Sequence, residues 1–494
     1  MAMVKGKKPH VLAVPLPFQG HVKPLMKLCR QIAKRGIKVT FVNIQSIHEK
    51  LILTAKMSDH EDEEDNIVLT SIPDSRSPEE IDKNNAFKLL ETLRHTMPDS
   101  LTDLIERINS SNDEEKISCV IADITIDWVL ETAEKMGAEP VVFSPPAAAV
   151  LTIALHTPKL IEEGYIDSNG ITFSFCHREK CSYSPSNIHC DYFFLNAGSI
   201  LKGDQIISLS ENMPALRTND LNWNFIPDLE AQKILFECSL RVGKAVNQAK
   251  MLLVNTSYEL ESAACDLNPK LIPIGPLIQT HTLKSSSNSW SFHSEDESCL
   301  TWLNNKPLGS VIYVSFGSLA IFSQHQLDEL ALGLELSGHP FLWVVRSDLA
   351  NGSRAVYPDG FMERIRGFGK IVEWAPQEEV LSHPSVAGFL SHCGWNSVVE
   401  GLNMGMPFLC WPYGGDQFHN QDYICDKWEI GLRINPDENS IRTKEEIKTK
   451  IEMLFSDDNL KLNALKMKEM IVKSVSEGGS SYKNLENFID HLRN

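Results

Sequence analysis

The sequence predicts an α/β protein built from two doubly wound domains, each with a mainly parallel sheet. Short apolar runs alternate with helix-length amphipathic segments, and this alternation stops once and then restarts. The chain has 494 residues, and at roughly 150 residues per domain this length accommodates two large α/β domains. We therefore expect two domains that face each other across a cleft.

The elements of the first half follow in order. Residues 10–16 form an apolar run that predicts a strand, and residues 22–35 have apolar positions at near-helical spacing, closed by Gly36. The other predicted elements are strands at 37–42, 66–72, 117–123 and 140–144, and a helix over 87–108. Because crossovers between parallel strands are right-handed, ligands are expected at the edge where the strands end.

A Ser-rich stretch then separates the two halves and predicts an interdomain linker. Beyond it we predict strands at 310–318, 341–345, 388–392 and 407–412, and a helix over 324–336. The predicted parts are an N-terminal domain over 1–277, a linker over 278–298, a C-terminal domain over 299–476 and a helix over 477–494 that packs back on the N-terminal domain.

Composition restricts the class of protein. The net charge of −18 disfavours nucleic acid and anionic membrane as partners. The 11 scattered cysteines are an odd number and indicate reduced thiols. No apolar stretch reaches the length of a membrane span, and the N-terminus lacks the apolar core of a secretory signal. We expect a cytoplasmic, monomeric protein without membrane insertion.

Residues 172–201 show no clear period and contain three cysteines and two histidines: Cys176, Cys181, Cys190, His177 and His189. A zinc site is one interpretation, but the spacing matches no structural zinc site. We predict a long surface loop.

The stretch 374–417 carries the most chemical information. Residues 389–394 form an apolar run that ends in a glycine turn, and the next residues have helical character, with Asn396 or Ser397 as the predicted N-cap. The free N–H groups at such a helix start attract phosphate through hydrogen bonds and the helix dipole.

Several polar side chains in this stretch suit a nucleotide ligand. His392 lies in the turn and can donate a hydrogen bond, while Glu400 lies one turn into the helix and can accept from ribose hydroxyls. Asp416 and Gln417 follow the next strand and suit vicinal hydroxyls, and Trp374 offers a flat face to a base. The alternative is an ordinary capped helix with a structural histidine and a core tryptophan.

A candidate base lies in the N-terminal domain. His21 follows the first strand, and a neutral histidine there can remove a proton from a hydroxyl, an effect typically worth about 10²–10⁴-fold. Asp123 ends the strand at 117–123 in the same sheet and would fix the tautomer of the imidazole. Asp127 is the rival for that role, but we expect it in the following helix. A helix-capping histidine is the alternative for His21.

These residues match a known pattern. The stretch 374–417 resembles the signature box of plant family 1 UDP-sugar-dependent glycosyltransferases, with Trp-Ala-Pro-Gln, His-Cys-Gly-Trp-Asn-Ser and Asp-Gln in register. The resemblance extends to Pro-Phe-Gln-Gly-His-Val at 17–22 and to Ser-Phe-Gly-Ser at 315–318. It implies the GT-B fold, in which two Rossmann-like domains face each other across a cleft.

The resemblance also implies a role for each matching residue. Trp374 would stack on uracil, with Ala375 and Gln377 at the base and ribose. The ribose hydroxyls would be bound by Glu400, the diphosphate by Ser318, His392, Asn396 and Ser397, and the sugar by Trp395, Asp416 and Gln417. His21 and Asp123 would form the catalytic pair. The family needs no metal and no other cofactor, and UDP-sugar is the co-substrate.

We therefore expect an inverting O-glycosyltransferase that moves glucose from UDP-glucose to a hydroxyl of a small lipophilic plant metabolite, such as a phenolic, flavonoid or terpenoid. Two alternatives stay open: a transferase that forms glucose esters of carboxylic acids, and a non-catalytic UDP-sugar-binding protein. A nicotinamide-dependent dehydrogenase is disfavoured because the first strand is followed by Phe-Gln-Gly-His and lacks a Gly-x-Gly-x-x-Gly turn.

The acceptor pocket is predicted from positions at the ends of the N-terminal strands: Phe18, Ile124, Ser144 and Pro145. The sequence also departs from the family at 413–415, where Tyr-Gly-Gly replaces bulkier residues before Asp-Gln. We expect this change to loosen the sugar pocket.

Overall fold

The structure, a computed structural model, describes residues 8–57, 66–73, 86–111, 115–171, 205–225, 228–277, 295–350 and 354–494. Within these residues the chain forms two parallel sheets flanked by helices and one short antiparallel pair of strands. This confirms the predicted α/β class. The loop predicted at 172–201 and most of the predicted linker lie outside the described residues.

The described strands of the N-terminal half are β1 (His10–Val14), β2 (Lys38–Ile44), β3 (Ile67–Ile72), β4 (Cys119–Asp123), β5 (Glu139–Ser144), β6 (Ile206–Ile207), β7 (Leu216–Arg217), β8 (Met251–Val254) and β9 (Leu271–Pro273). Seven of these described strands form a parallel sheet in the order β3-β2-β1-β4-β5-β8-β9, and β6 pairs with β7 antiparallel. The β1 run is completely buried, as expected for a strand covered by helices on both faces.

The described helices that cover this sheet are α1 (Gln19–Ala33), α2 (Gln45–Met57), α3 (Ala86–Ser111), α4 (Trp128–Lys135), α5 (Ala148–Glu162), α6 (Leu229–Gln248) and α7 (Ser262–Leu267). Apolar positions of α1 such as Leu25, Cys29 and Ile32 are buried against the sheet. The helix is followed by Gly36 at φ +79°, a conformation that glycine adopts without steric cost.

The second half repeats the arrangement. Its described strands are β10 (Val311–Ser315), β11 (Phe341–Val344), β12 (Gly369–Val372), β13 (Val386–Ser391), β14 (Phe408–Cys410) and β15 (Gly431–Arg433). Its described helices are α8 (Ser298–Leu303), α9 (Gln324–Ser337), α10 (Phe361–Arg364), α11 (Gln377–Ser382), α12 (Trp395–Met404), α13 (Gln417–Asp422), α14 (Lys444–Ser456), α15 (Asp458–Val475) and α16 (Ser480–Arg493). A π-helical turn over Tyr423–Lys427 continues α13. The sheet order is β12-β11-β10-β13-β14-β15.

Each sheet has a point where the strand order reverses. In the first sheet β1 lies between β2 and β4, and in the second β10 lies between β11 and β13. Crevices at the carboxyl ends of strands at such points are the usual ligand sites of open α/β sheets. The topology therefore places the loops after β1, β4, β10 and β13 where a ligand is expected.

Helix α1 begins at Gln19, earlier than the predicted start at residue 22, so His21 lies in its first turn. The helix also contains Pro24, which has no N–H to donate to the carbonyl of Gly20 four residues before it. That carbonyl instead accepts a hydrogen bond from Asn396 Nδ2 of α12, at 2.7 Å. The proline thus frees a backbone acceptor for a contact between the two halves of the chain.

The C-terminal helix α16 lies against the N-terminal half. Asn484 Nδ2 donates to the Pro273 carbonyl (2.8 Å), and His491 Nε2 lies 2.6 Å from Glu139 Oε1. No helix in the described ranges combines the length and the apolar character that a membrane crossing needs. The cysteines that the structure describes are free thiols.

Candidate active site

A cleft lies between the carboxyl edges of the two sheets and is lined by both halves of the chain. Most of the predicted site residues line it: Phe18, His21, Pro145, Ser318, Trp374, Ala375, Gln377, His392, Trp395, Asn396, Ser397, Glu400, Asp416 and Gln417. The residues from 374–417 reach it because α11, α12 and α13 each begin at this edge, directly after β12, β13 and β14.

His21 and Asp123 lie side by side. Because β1 and β4 are neighbours, the first turn of α1 and the end of β4 meet, and His21 Nδ1 is 2.7 Å from Asp123 Oδ2. The other carboxylate oxygen accepts from the backbone N–H and the hydroxyl of Thr125. Since an ionised carboxylate only accepts, the proton of the neutral imidazole lies on Nδ1 and leaves Nε2 as an acceptor.

The charges around His21 set its pKa. Burial lowers the pKa of His21, but the charge and hydrogen bond of Asp123, together with the charge of Asp416 from the other half of the chain, outweigh burial and raise it above 6.5. The Asp123 side chain is completely buried, whereas 21% of the His21 side chain is exposed, in the cleft. The pair therefore combines a protected carboxylate with an accessible imidazole.

We predict that the change Asp123→Asn lowers the pKa of His21. The amide carries no charge to stabilise the imidazolium, so burial then acts with less opposition. Titration of the His21 ring signals by NMR measures this pKa in both proteins. An unchanged pKa in the variant would contradict the assignment of Asp123 as the main charge partner. The partly exposed His383, which contacts Asn304, serves as an internal reference.

Asp127, the predicted rival for the orienting role, has another partner. It is the N-cap residue of α4, and its Oδ1 accepts from Arg94 Nη1 at 2.7 Å. Asp127 therefore lies at the start of the following helix, close to its predicted place, and ties α4 to α3.

The start of α12 differs from the prediction. The N-cap is Gly394, one residue before Trp395, and a glycine has no side chain with which to cap the helix. The predicted N-caps are used otherwise: Asn396 donates to the Gly20 carbonyl, and Ser397 Oγ accepts from Gln377 Nε2 at 2.9 Å. A helix start without a side-chain cap keeps its N–H groups for an anionic ligand.

His392 lies in a narrow slot between two glycines. A Cβ atom at Gly317 would lie 2.6 Å from His392 Nε2, and one at Gly394 would lie 2.5 Å from the same atom. Burial lowers the pKa of His392 to about 4, assisted by the nearby positive charge of Arg346 and opposed by a backbone hydrogen bond with Ser315. The imidazole is therefore neutral near pH 7 and can donate one hydrogen bond without carrying a charge.

Gln377 and Glu400 belong to one hydrogen-bonded chain. Tyr313 Oη donates to Gln377 Oε1 (3.2 Å), and Gln377 Nε2 donates to Glu400 Oε2 (2.8 Å). Lys23 of α1 donates to the other oxygen of Glu400, Oε1, at 2.8 Å. The carboxylate predicted to bind ribose is therefore held from both halves of the chain.

The predicted sugar-binding residues Asp416 and Gln417 are each held by hydrogen bonds to neighbouring residues. Asp416 Oδ2 accepts from Asn420 Nδ2 (2.9 Å), and Gln417 Oε1 accepts from the backbone N–H groups of Tyr413 and Gly414 (2.8 and 3.1 Å). Burial raises the pKa of Asp416, against several hydrogen bonds and the charge of the imidazole at position 21. The loop before α13 is thereby fixed in a tight turn.

Trp395 is almost completely buried, and its indole Nε1 donates to the carbonyl of Asn255 at 2.8 Å. The indole N–H is thus used in a contact between the two halves of the chain. Of the remaining predicted nucleotide residues, the Trp374 carbonyl accepts from the Asp296 N–H (3.0 Å), and Ala375 is nearly buried beside it.

The turn at 413–415 is packed against the N-terminal half of the chain. A Cβ atom at Gly414 would overlap the ring of Phe225, a residue of the N-terminal half. The aromatic ring occupies the space that a side chain at position 414 would need. The expectation that this turn loosens the sugar pocket stays a prediction.

The acceptor side agrees in part with the prediction. Phe18 and Pro145 line the cleft, but Ile124 and Ser144 lie in the core, with 4% and 1% of their surface exposed. Both are held in the parallel ladder: the Ile124 N–H donates to the Phe143 carbonyl, and the Ser144 carbonyl accepts from the Asn255 N–H. A position at a strand end is therefore insufficient to place a side chain in the cleft.

Sequence reasoning missed several residues that line the cleft: Gln19, Gly20, Lys23, Glu295, Tyr313, Ser315, Phe316, Gly317, Leu319, Ala320, Val344 and Gly394. The sequence contains a signal that could have identified Lys23: it is a charged residue near the start of a helix that begins at the ligand-binding edge of the sheet. Among the described residues, no group of three or more acidic, histidine or cysteine side chains is arranged to hold a metal ion.

Comparisons with known proteins agree with this geometry. Residues 244–473 match the family model of UDP-glucoronosyl and UDP-glucosyl transferase, and residues 8–202 match that of the glycosyltransferase N-terminal domain. UDP-glycosyltransferase 83A1 of Arabidopsis thaliana is 38% identical over 492 residues, which cover 98% of this chain and 97% of that protein. The 7-deoxyloganetin glucosyltransferase of Catharanthus roseus is 31% identical over 507 residues, covering 99% and 97%.

Solved structures share the whole architecture. UGT71G1 of Medicago truncatula, complexed with UDP-glucose, has a TM-score of 0.77 at 23% identity, covering 99% of both chains. Os79 of O. sativa, in complex with UDP, has a TM-score of 0.75 at 24% identity, covering 98% of this chain and 100% of that one. These likenesses confirm the GT-B fold. With both halves matched by family models and a full-length relative at 38% identity, the chain belongs to the plant family 1 UDP-dependent glycosyltransferases.

Proposed function

We propose that this glycosyltransferase is an inverting enzyme that moves glucose from UDP-glucose to a hydroxyl group of a small lipophilic plant metabolite, with His21 as the general base. The observation that carries the proposal is the 2.7 Å contact between His21 Nδ1 and Asp123 Oδ2. His21 lines the same cleft as the start of α12, which has no side-chain cap. A protein that only binds UDP-sugar needs no such pair.

The base acts through Nε2. With its Nδ1 proton held by Asp123, the His21 imidazole accepts the hydroxyl proton of the acceptor at Nε2 as the acceptor oxygen attacks C1 of the sugar. The bond from C1 to the diphosphate oxygen breaks, UDP leaves with the electron pair, and the configuration at C1 inverts. The buried Asp123 stabilises the imidazolium that results.

The hydrogen-bond donors proposed to stabilise the UDP leaving group belong to the C-terminal half of the chain. Negative charge grows on the diphosphate oxygen, and the first-turn N–H groups of α12 and the neutral His392 are the groups proposed to receive it. Ser318, Asn396 and Ser397 are proposed to complete the diphosphate site. In this arrangement Trp374 stacks on uracil beside Ala375, and Glu400 accepts from the ribose hydroxyls.

The sugar and the acceptor are proposed to contact different residues of the cleft. Asp416 and Gln417 are proposed to bind the hexose hydroxyls, with Trp395 beside them. The name of one relative, 7-deoxyloganetin glucosyltransferase, supports glucose as the sugar and a small metabolite as the acceptor. The acceptor wall that Phe18 and Pro145 contribute is apolar and suits a lipophilic molecule.

An oxygen nucleophile with a bound proton is favoured over a carboxylate. A carboxylic acid is ionised at neutral pH and has no proton to lose. Ester formation would therefore not need the His21–Asp123 pair as a general base. The pair therefore supports the O-glycoside over the glucose ester.

The test is a product assay. Purified protein and UDP-glucose are incubated with matched phenols, terpenoid alcohols and the corresponding carboxylic acids, and products are identified by mass spectrometry and by the anomeric NMR signal. We expect β-configured glycosides of hydroxyl acceptors. Glucose esters with no glycosides, or UDP-glucose binding without any product, would contradict the proposal.

A further inference from the structure

Two lysines of α1 reach across the cleft to the nucleotide side. Lys23 Nζ lies 2.8 Å from Glu378 Oε1 and 2.8 Å from Glu400 Oε1. Lys27, one turn further along α1, lies 2.8 Å from Glu378 Oε1 but 3.8 Å from Glu400 Oε1. We call these four side chains the interdomain ion cluster. The helix that carries His21 is thus joined by charge to α11 and α12.

The cluster is largely buried, and Lys23 is its most exposed member. The side chains of Glu378 and Glu400 are 13% and 6% exposed, and those of Lys23 and Lys27 are 30% and 11% exposed. Burial by itself raises the pKa of Glu378, but the charges and hydrogen bonds of the two lysines outweigh it and hold that pKa well below its ordinary value. Ion pairs in such surroundings interact more strongly than pairs in open solvent.

The two lysines differ in what they do to Glu400. Lys23 donates a hydrogen bond to Oε1, while Gln377 donates one to Oε2, so the carboxylate is held at both oxygens. Lys27 lies beyond hydrogen-bond distance of Glu400, and within the described part of the chain its side chain donates to Glu378. Of the two lysines, Lys23 is therefore the one that fixes a Glu400 oxygen by a hydrogen bond, while Lys27 contributes a longer ion pair.

We propose that Lys23 is a positioning residue for nucleotide recognition: it orients the Glu400 carboxylate toward the ribose hydroxyls, so that the N-terminal domain takes part in selecting the nucleotide. This inference rests on the proposed function, which assigns Glu400 to the ribose. The lysine does not touch the ribose itself. It acts because a carboxylate that is held at both oxygens needs no reorientation when the nucleotide enters.

The test uses calorimetric binding of UDP, 2′-deoxy-UDP and 3′-deoxy-UDP to the full-length wild type and to the variants Lys23→Met, Lys23→Arg and Lys27→Met. A hydrogen bond to a charged group is worth about tenfold or more in affinity, so the wild type is expected to bind UDP about tenfold or more tightly than at least one deoxy analogue. In Lys23→Met this preference is expected to fall below about threefold, while Lys23→Arg retains part of it.

Lys27→Met is the matched control because it removes the same charge from the same helix and the same contact with Glu378. It is expected to keep the preference for UDP. Thermal unfolding of each variant shows whether it is folded, and Lys23→Gln replaces any Lys23→Met protein that is not.

Three outcomes would overturn the inference. Lys23→Met could keep the full preference for UDP, it could weaken UDP and both deoxy analogues by the same factor, or Lys27→Met could lose the preference equally. Each of these would leave the proposed function intact. A wild type that binds no UDP, or that binds UDP and the deoxy analogues alike, would instead contradict the assignment of Glu400 in the proposed function.

Discussion

Replacing His21 by Ala is expected to lower kcat for a hydroxyl acceptor by about 10²–10⁴-fold, the usual contribution of a positioned general base. The substitution removes the acceptor for the hydroxyl proton, whereas the groups proposed to bind UDP lie on the other wall of the cleft. Affinity for UDP should therefore change little. Initial rates of glucoside formation and calorimetric UDP binding measure the two quantities.

The control for this variant is His383→Ala, because His383 lies at the end of α11 and contacts Asn304 outside the cleft lining. It should retain wild-type activity. A His21→Ala protein with an undiminished rate toward alcohols would remove the base from the mechanism. Loss of activity toward alcohols with retained activity toward carboxylic acids would indicate that the site also forms esters.

The pH profile gives a second readout for His21. Asp123 and Asp416 raise the pKa of His21 despite its burial. The neutral imidazole, which is the form that accepts a proton, therefore becomes the main species at a higher pH than for an ordinary histidine. The rate should therefore rise with pH through that raised pKa. In Asp123→Asn the rising part of the profile should move to lower pH, while the maximal rate falls because the tautomer is no longer fixed.

Strand order explains which site predictions were possible. The sequence pattern predicts strands at 10–16 and 117–123, and the rule that parallel strands end at one edge is sufficient to bring His21 to Asp123. The same rule failed for Ile124 and Ser144, because it does not say which side chains at a strand end point into the core. Local pattern determines the edge of the sheet, and packing determines the direction of each side chain.

Contacts between the domains were beyond sequence reasoning. Lys23 and Glu400 are separated by 377 positions, and Asn396 and Gly20 by 376. No periodicity or propensity in either segment encodes such a pairing, since it depends on how two independently wound domains meet. The start of α12 was misplaced for a related reason: Asn396 is a good cap by composition, but its side chain is used across the cleft.

Gly317→Ala is expected to lower kcat/KM for UDP-glucose by about 10²-fold, the effect of losing one preorganised donor to a developing anion. Gly317 has φ +67°, and an added Cβ would lie 2.6 Å from His392 Nε2. The loop cannot easily yield, because the buried Arg346 holds the carbonyls of Gly317 and Ala320. The imidazole must therefore leave its slot and its donor no longer faces the diphosphate.

Gly338→Ala separates this effect from backbone strain. Gly338 has nearly the same left-handed conformation, φ +66°, but an added Cβ would meet no atom within 4 Å. Backbone strain alone should cost each variant about 1–2 kcal/mol of unfolding free energy, the cost of placing alanine in this conformation. Only Gly317→Ala should lose UDP-glucose turnover. Equal losses of kcat/KM in the two variants would show that Gly317 is needed only for its backbone conformation. The slot around His392 would then have no role in positioning its N–H group toward the diphosphate.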